Sequence, residues 1–155
     1  MNGAHLHLIL SHIPIVGSGF TVLLIIFSLV LKSKETKRTA LWFSVITGFA
    51  ALAAYLTGDS AEEIVKAIPG ITEAVVEPHE ELALYYLLSL LLIGAIALAG
   101  LFLSRASATV LQKFTVIVLI LNIMVMFLAY KTGVSGGKIR HTEIDNTEIV
   151  KPQVK

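Results

Sequence analysis

The sequence predicts an all-α protein, a four-helix transmembrane bundle of up-down topology with both termini on the outer side. Three observations predict it. The chain has 155 residues, of which 55% are hydrophobic and 15% charged, whereas a soluble domain carries roughly 25% charged residues. Its mean hydropathy is +0.82. The charges are crowded into gaps between four long uncharged stretches, each of bilayer-spanning length.

Taken in order, the expected spans cover residues 13–31, 40–57, 82–103 and 109–130. Lys113, one turn inside the fourth, is the single formal charge within them. A helix rising about 1.5 Å per residue needs about 20 residues to cross the hydrocarbon core. In lipid the backbone must satisfy its own hydrogen bonds, so the spans are helices. Nothing ahead of the first resembles a basic signal-peptide n-region, so it is read as a span and not as a cleaved leader. Residues 1–145 form one domain, and 146–155 are expected to be a mobile tail.

The connections orient the bundle. The segment from Lys32 to Arg38, the link from Ser104 to Ala108, and Lys113 hold six of the twelve basic residues and one acid, Glu35. The other ten acids lie at the opposite end. The positive-inside rule therefore puts the two short loops in the cytoplasm, and both termini and the long loop outside. In that loop, Ser60-Ala61-Glu62-Glu63 reads as a capping box opening a short helix that Pro69-Gly70 ends. Pro78 is expected at the first helical position of the third span. Gly133 and Gly136-Gly137 are expected to break the fourth helix.

Several function classes drop out. A net charge of +1 gives no electrostatic footprint for nucleic acid. The chain has no cysteine, which excludes disulfides, iron–sulfur clusters, thiolate metal sites and covalently attached haem. No phosphate-binding loop, dinucleotide fingerprint or zinc-protease motif is present. The spans lack mid-membrane Gly/Pro breaks and core charges, which argues against a transporter. Asn122, deep in the fourth span, is expected to bond to a neighbouring helix.

Histidine placement carries the chemistry. His5, His7, His12, His79 and His141 all fall at the outer end, on three separate chain segments. Imidazole suits haem iron, copper, zinc and nickel, and bundle cores hold such sites between facing helices. The expected cofactor is haem b with bis-histidine ligation. His12 and His79 are the first choice of axial ligands, as both are expected to start a helix beside a proline. His7 and His141 would serve as propionate partners or as a second site, and Arg140 or Lys138 would pair with propionates. Glu80, Glu81, or one of Tyr55 and Tyr86 would hydrogen-bond to the site. Two other readings stand: interfacial histidines in a cofactor-free structural or assembly subunit, and a copper or zinc site. The tyrosines otherwise read as an aromatic belt.

The segments His7-Leu-Ile-Leu-Ser-His12-Ile13-Pro14-Ile15, Thr57-Gly58, Pro78-His79-Glu80 and Thr132-Gly133 through Gly136-Gly137 to His141 resemble those of a family of small bacterial four-helix membrane proteins of unknown function. Its members open with two histidines around a Phe-Pro-Ile-like turn and close with a Gly-Gly pair before a histidine. Here Ile13 stands where Phe is usual. The resemblance covers roughly residues 5–145. It implies that His7, His12, His79 and His141 belong to one pattern, with a b-type haem role beside cytochrome components. The resulting expectation is an electron-transfer or accessory subunit in a bacterial inner membrane. It would act at the periplasmic face with membrane or periplasmic redox proteins as partners.

Overall fold

The structure, a computed structural model, describes residues 2–140. Helix α1 spans Gly3–Val30, α2 Lys34–Tyr55, α3 Gly58–Lys66, α4 Glu73–Leu103 and α5 Ala108–Arg140, with a 3-10 turn at Ser104–Ala106. There is no strand among the described residues. Helices α1, α2, α4 and α5 are long and apolar enough to cross a membrane. Both α1 and α4 pack on α2 and α5, so α1 and α4 stand on opposite corners of the bundle.

A seven-residue rhythm explains the packing. The buried positions of α1 are Pro14, Ser18, Thr21, Ile25 and Ser28, spaced alternately four and three apart. Helix α2 buries Ala40, Ser44, Thr47, Ala51 and Ala54 in the same alternation, and α5 buries Leu111, Thr115, Val118, Asn122, Val125, Ala129 and Thr132. A repeat averaging 3.5 residues keeps one seam of each helix facing its neighbours. These seams are small and polar, while Phe20, Leu23, Phe27, Phe49, Leu92 and Phe127 face outward. That is the pattern of helices held together by close packing where the surroundings are as apolar as leucine. Ser104 Oγ at the end of α4 has no partner among the described residues, but buried hydroxyls along the seams are satisfied locally: Thr21 donates to the Gly17 carbonyl at 2.8 Å and Ser28 to that of Ile25 at 2.7 Å. Asn122 does likewise. Its amide donates to the Val118 carbonyl of its own helix at 2.9 Å, not to a neighbouring helix.

On the loop side the ends at Val30, Leu103 and Ala108 match the expected spans, but α2 begins at Lys34 and not at 40; at the histidine end only α2 stops where expected. Helix α1 begins at Gly3, α4 at Glu73, and α5 continues to Arg140. Three helices therefore overrun the apolar stretches at the same end by about 15 Å, given a rise of 1.5 Å per residue. They form a collar above the spans. Pro78 lies inside α4 and Pro14 inside α1, so neither opens its helix, and His12 and His79 are not at helix starts. Gly133, Gly136 and Gly137 do not break α5. Charge marked where the apolar stretches stop, and helical structure extends past that boundary.

Helix α3 closes the corner left by the shorter α2. It starts two residues earlier than the capping box implies. Thr57 occupies the N-cap without a side-chain bond, and Ser60 lies inside the helix. The Ser60 side chain instead packs on α1: a Cβ added to Gly3 would lie 2.5 Å from the Ser60 Cβ. Ser60→Ala removes no cap, so it should change stability by less than about 0.5 kcal/mol. A loss near the roughly 1 kcal/mol of a true N-cap, read in a thermal melt, would contradict this arrangement.

Candidate functional site

The collar brings together His7 of α1 and His79 of α4. Their ring centroids lie 6.5 Å apart with planes at 87°, across the diagonal of the bundle. Both rings are half-buried. His7 Nδ1 lies 3.0 Å from the Ala54 carbonyl oxygen and 3.2 Å from Thr57 Oγ1. A carbonyl only accepts, so Nδ1 carries the proton. Thr57 Oγ1 gives its own hydrogen to the same carbonyl at 2.7 Å, leaving its lone pair toward the ring. His79 Nδ1 lies 3.0 Å from Ser135 Oγ, whose hydrogen goes to the Thr132 carbonyl at 3.0 Å. The serine therefore accepts, and His79 Nδ1 also carries its proton. Both imidazoles are left with the lone pair on Nε2. Metal-ligating histidines have this arrangement, with one ring nitrogen anchored as donor and the other free to bind.

Electrostatics act in the same direction. His79 lies outside the apolar span that begins at Leu82. Burial, with the nearby His7 ring adding to it, holds its imidazole below the ordinary histidine range. A neutral ring is the form that binds a metal. The backbone makes room for it. A Cβ at Gly136 would sit 2.9 Å from the His79 ring, and one at Gly58 3.9 Å from that of His7. Gly136 is a close-approach position, which is why it sits within an unbroken helix.

The remaining expected site residues lie elsewhere. His12 is exposed, with Nδ1 bonded to the Leu8 carbonyl of its own helix; the ring that meets His79 is that of His7. His5 is exposed near the start of α1. His141 and the side chain of Arg140 lie outside what the structure describes. Glu80 turns to Glu62 of α3: the hydrogen bond it donates to that carboxylate raises its pKa above the usual range, while Lys66 lowers that of Glu62. Lys66 also pairs with Glu73. The three carboxylates gathered there are thus engaged by a lysine and by one another, and they tie α3 to α4 without touching either imidazole. Tyr86 does not reach the histidines. Its hydroxyl donates to the Pro14 carbonyl at 2.9 Å and lies 3.1 Å from Ser18 Oγ, bridging α1 and α4 below the rings. Tyr55, Tyr85 and Tyr130 face outward, as a belt requires.

No family model, curated protein or solved structure matches the chain.

One signal in the sequence does select His7 over His12. Positions 7, 14, 21 and 28 are seven apart, and Pro14, Thr21 and Ser28 are buried. Positions 79, 86, 93 and 100 are likewise seven apart, with Tyr86, Ile93 and Gly100 buried. His12 belongs to no such series: Gly19, seven residues on, is half-buried and Ile26, fourteen on, is exposed. Thr57, Ser135 and Gly136 lie in segments that carry the resemblance, but nothing in the sequence marked them as the neighbours of these two rings.

Proposed function

We propose that this chain is an integral protein of a bacterial inner membrane whose periplasmic collar holds a haem b iron between His7 and His79. It exchanges electrons there with a membrane or periplasmic redox partner. The observation that carries this is the pair of neutral imidazoles on diagonal helices, each with Nδ1–H anchored and Nε2 as base. The donor set fits a bis-histidine iron. His7 and His79, with ring centroids 6.5 Å apart, would be the residues that hold it. Helix α5 ends at this same end, and the sequence puts Lys138 and Arg140 in its last turn. A haem iron held there supplies one-electron exchange. The chain's own residues set the tautomers and the distance between the two rings. The resemblance of the histidine and Gly-Gly segments to a small four-helix family points the same way.

A second reading is a bare copper or zinc ion at the same two imidazoles. The close packing of Gly136 and Gly58 on the rings favours it, because a single ion needs far less room than a porphyrin. The visible spectrum of detergent-purified protein before and after dithionite, with metal analysis of the same sample, separates the two. A reduced b-type spectrum supports haem, and a colourless protein with one equivalent of copper or zinc supports the ion. A colourless, metal-free protein from replete cells overturns both and leaves a structural subunit.

Orientation is tested on its own. Cysteine introduced at Glu63 should be labelled by an impermeant maleimide in intact spheroplasts, and cysteine at Lys34 only after lysis, because the loop at 32–38 is basic. The opposite pattern would move the collar to the cytoplasm.

A further inference from the structure

The end of the bundle opposite the collar gathers cations along one seam. Close contacts between α2 and α4 fix the register there: a Cβ at Gly48 would lie 3.0 Å from the Leu90 carbonyl oxygen, and one at Gly94 3.6 Å from the Val45 Cα. The two helices run antiparallel. Stepping along both from these contacts brings Arg38 level with Leu101, and Lys34 level with Ser104 and Arg105. Lys34, Arg38, Leu41, Val45 and Gly48 are spaced alternately four and three apart. The two cations therefore continue the stripe of α2 that faces α4, and Arg38 is half-buried. From the other side of the seam, the Arg105 guanidinium lies 4.8 Å over the ring of Phe102, which faces outward.

Nothing among the described residues offsets this charge. Their two ion pairs both belong to Lys66 of the collar, so Glu35, the one acid of this end, pairs with none of the three cations. Lys34 and Arg38 also stand at the N-terminal end of α2, where the helix dipole disfavours a positive charge. Ser104 Oγ, at the same level, is the one buried side-chain polar atom without a partner among the described residues. Donors without acceptors thus converge on one seam. An anion with several acceptor oxygens complements them, and a guanidinium suits the oxygens of a phosphate in particular. Depth selects where that phosphate comes from. Trp42, Phe102 and Leu103, within about a turn of the cations, face outward, as residues at the edge of a hydrocarbon layer do. The cations therefore stand at the depth of lipid headgroups.

We propose that this seam binds the headgroup phosphate of an anionic phospholipid through Lys34, Arg38 and Arg105. A zwitterionic lipid brings a cation of its own into the seam, so the site discriminates by charge. It rests on insertion of the chain in a bilayer and is independent of what His7 and His79 hold. Trp42, the single tryptophan, lies one turn beyond Arg38 and reports occupancy. The protein is reconstituted in phosphatidylcholine bilayers containing a fixed fraction of brominated phosphatidylglycerol or, separately, of brominated phosphatidylcholine. Bromine quenches a nearby tryptophan, so the ratio of the two quenching levels measures preference. Phosphatidylglycerol should be preferred, and Arg38→Gln and Arg105→Gln should each lower the preference about fivefold, the value of one cation beside an anionic surface. Lys113→Gln is the control. Lys113 is exposed on the outward side of α5, off the seam, so its loss should leave the preference unchanged. In neutral detergent both arginine variants should melt no lower than wild type, since each removes one of a group of like charges. A lower melting temperature would show the arginine to be engaged within the protein and would overturn the site. Equal quenching by the two lipids would also overturn it. An equal loss of preference in Lys113→Gln would do the same, by reducing the effect to diffuse attraction of a basic end. Abolition of the preference by millimolar glycerol 3-phosphate would make the seam a site for a soluble anion and not for lipid.

Discussion

On the haem reading proposed above, His7→Ala and His79→Ala should each abolish the low-spin spectrum expected of the purified protein, whereas His12→Ala should leave it intact. Each of the first two removes one of the paired imidazoles, and among the described residues neither ring has a substitute nearby: His12 is exposed and bonded to its own helix. Loss of one ligand leaves a high-spin iron or none at all. A graded variant tests positioning. Ser135→Ala removes the acceptor that holds His79 Nδ1–H, and loss of such a partner typically lowers metal affinity by 10–100-fold. The spectrum should then stay low-spin at saturating haem while the dissociation constant rises. A merely structural serine would lower the melting temperature with no change in affinity. If His12→Ala loses the cofactor and His7→Ala keeps it, the site lies on the other side of α1.

The largest loss of stability should come from Gly48→Leu. Gly48 of α2 meets the backbone of α4, and an added Cβ would lie 3.0 Å from the Leu90 carbonyl oxygen. Gly94 of α4 returns the contact, its Cβ position lying 3.6 Å from the Val45 Cα. Backbone cannot swing aside as a flexible side chain does, so a leucine must push the two helices apart along their seam. Overpacking in a filled core typically costs about 1–3 kcal/mol, and the upper end applies where the obstacle is main chain. Gly48→Ala should cost less, since a shift of a few tenths of an ångström admits one methyl. Unfolding in detergent should rank wild type, alanine and leucine in that order. A leucine variant as stable as wild type would mean that the seam is not packed so closely.

Class and helix number were legible in the sequence because they rest on length and hydropathy, which need no partner. On the loop side charge located where α1 and α4 stop, beside Lys32 and Arg105, but not where α2 starts, since that helix begins at Lys34 within the charged segment. At the histidine end charge misled: Glu73, Glu77 and Glu80 are compatible with helix outside the apolar stretch, so the collar was read as loop. Glycine misled for a different reason. Gly136 looked like a terminator, yet its missing side chain is needed to admit the His79 ring, a requirement visible only once α4 and α5 are side by side. The histidine cluster was legible as a cluster, but its pairing was not. Proline proximity pointed to His12, while the seven-residue register points to His7. Asn122 showed the limit of polarity as a guide, since a buried amide satisfied by its own helix leaves no trace in sequence.

The contact between Tyr86 and Pro14 has a mechanical consequence for the imidazoles above it. Pro14 lies seven residues after His7 on α1, and Tyr86 seven after His79 on α4, so the two contacts are rungs of one ladder, about 10 Å apart. Helices joined by two rungs cannot pivot about either one alone. A piston shift or rotation of α1 that parts Tyr86 from Pro14 must also change the gap between the rings. Ligand spacing at the collar is thereby geared to the state of the bundle's interior, and strain applied to α1 from within the membrane is transmitted to the site without any residue of the site being touched.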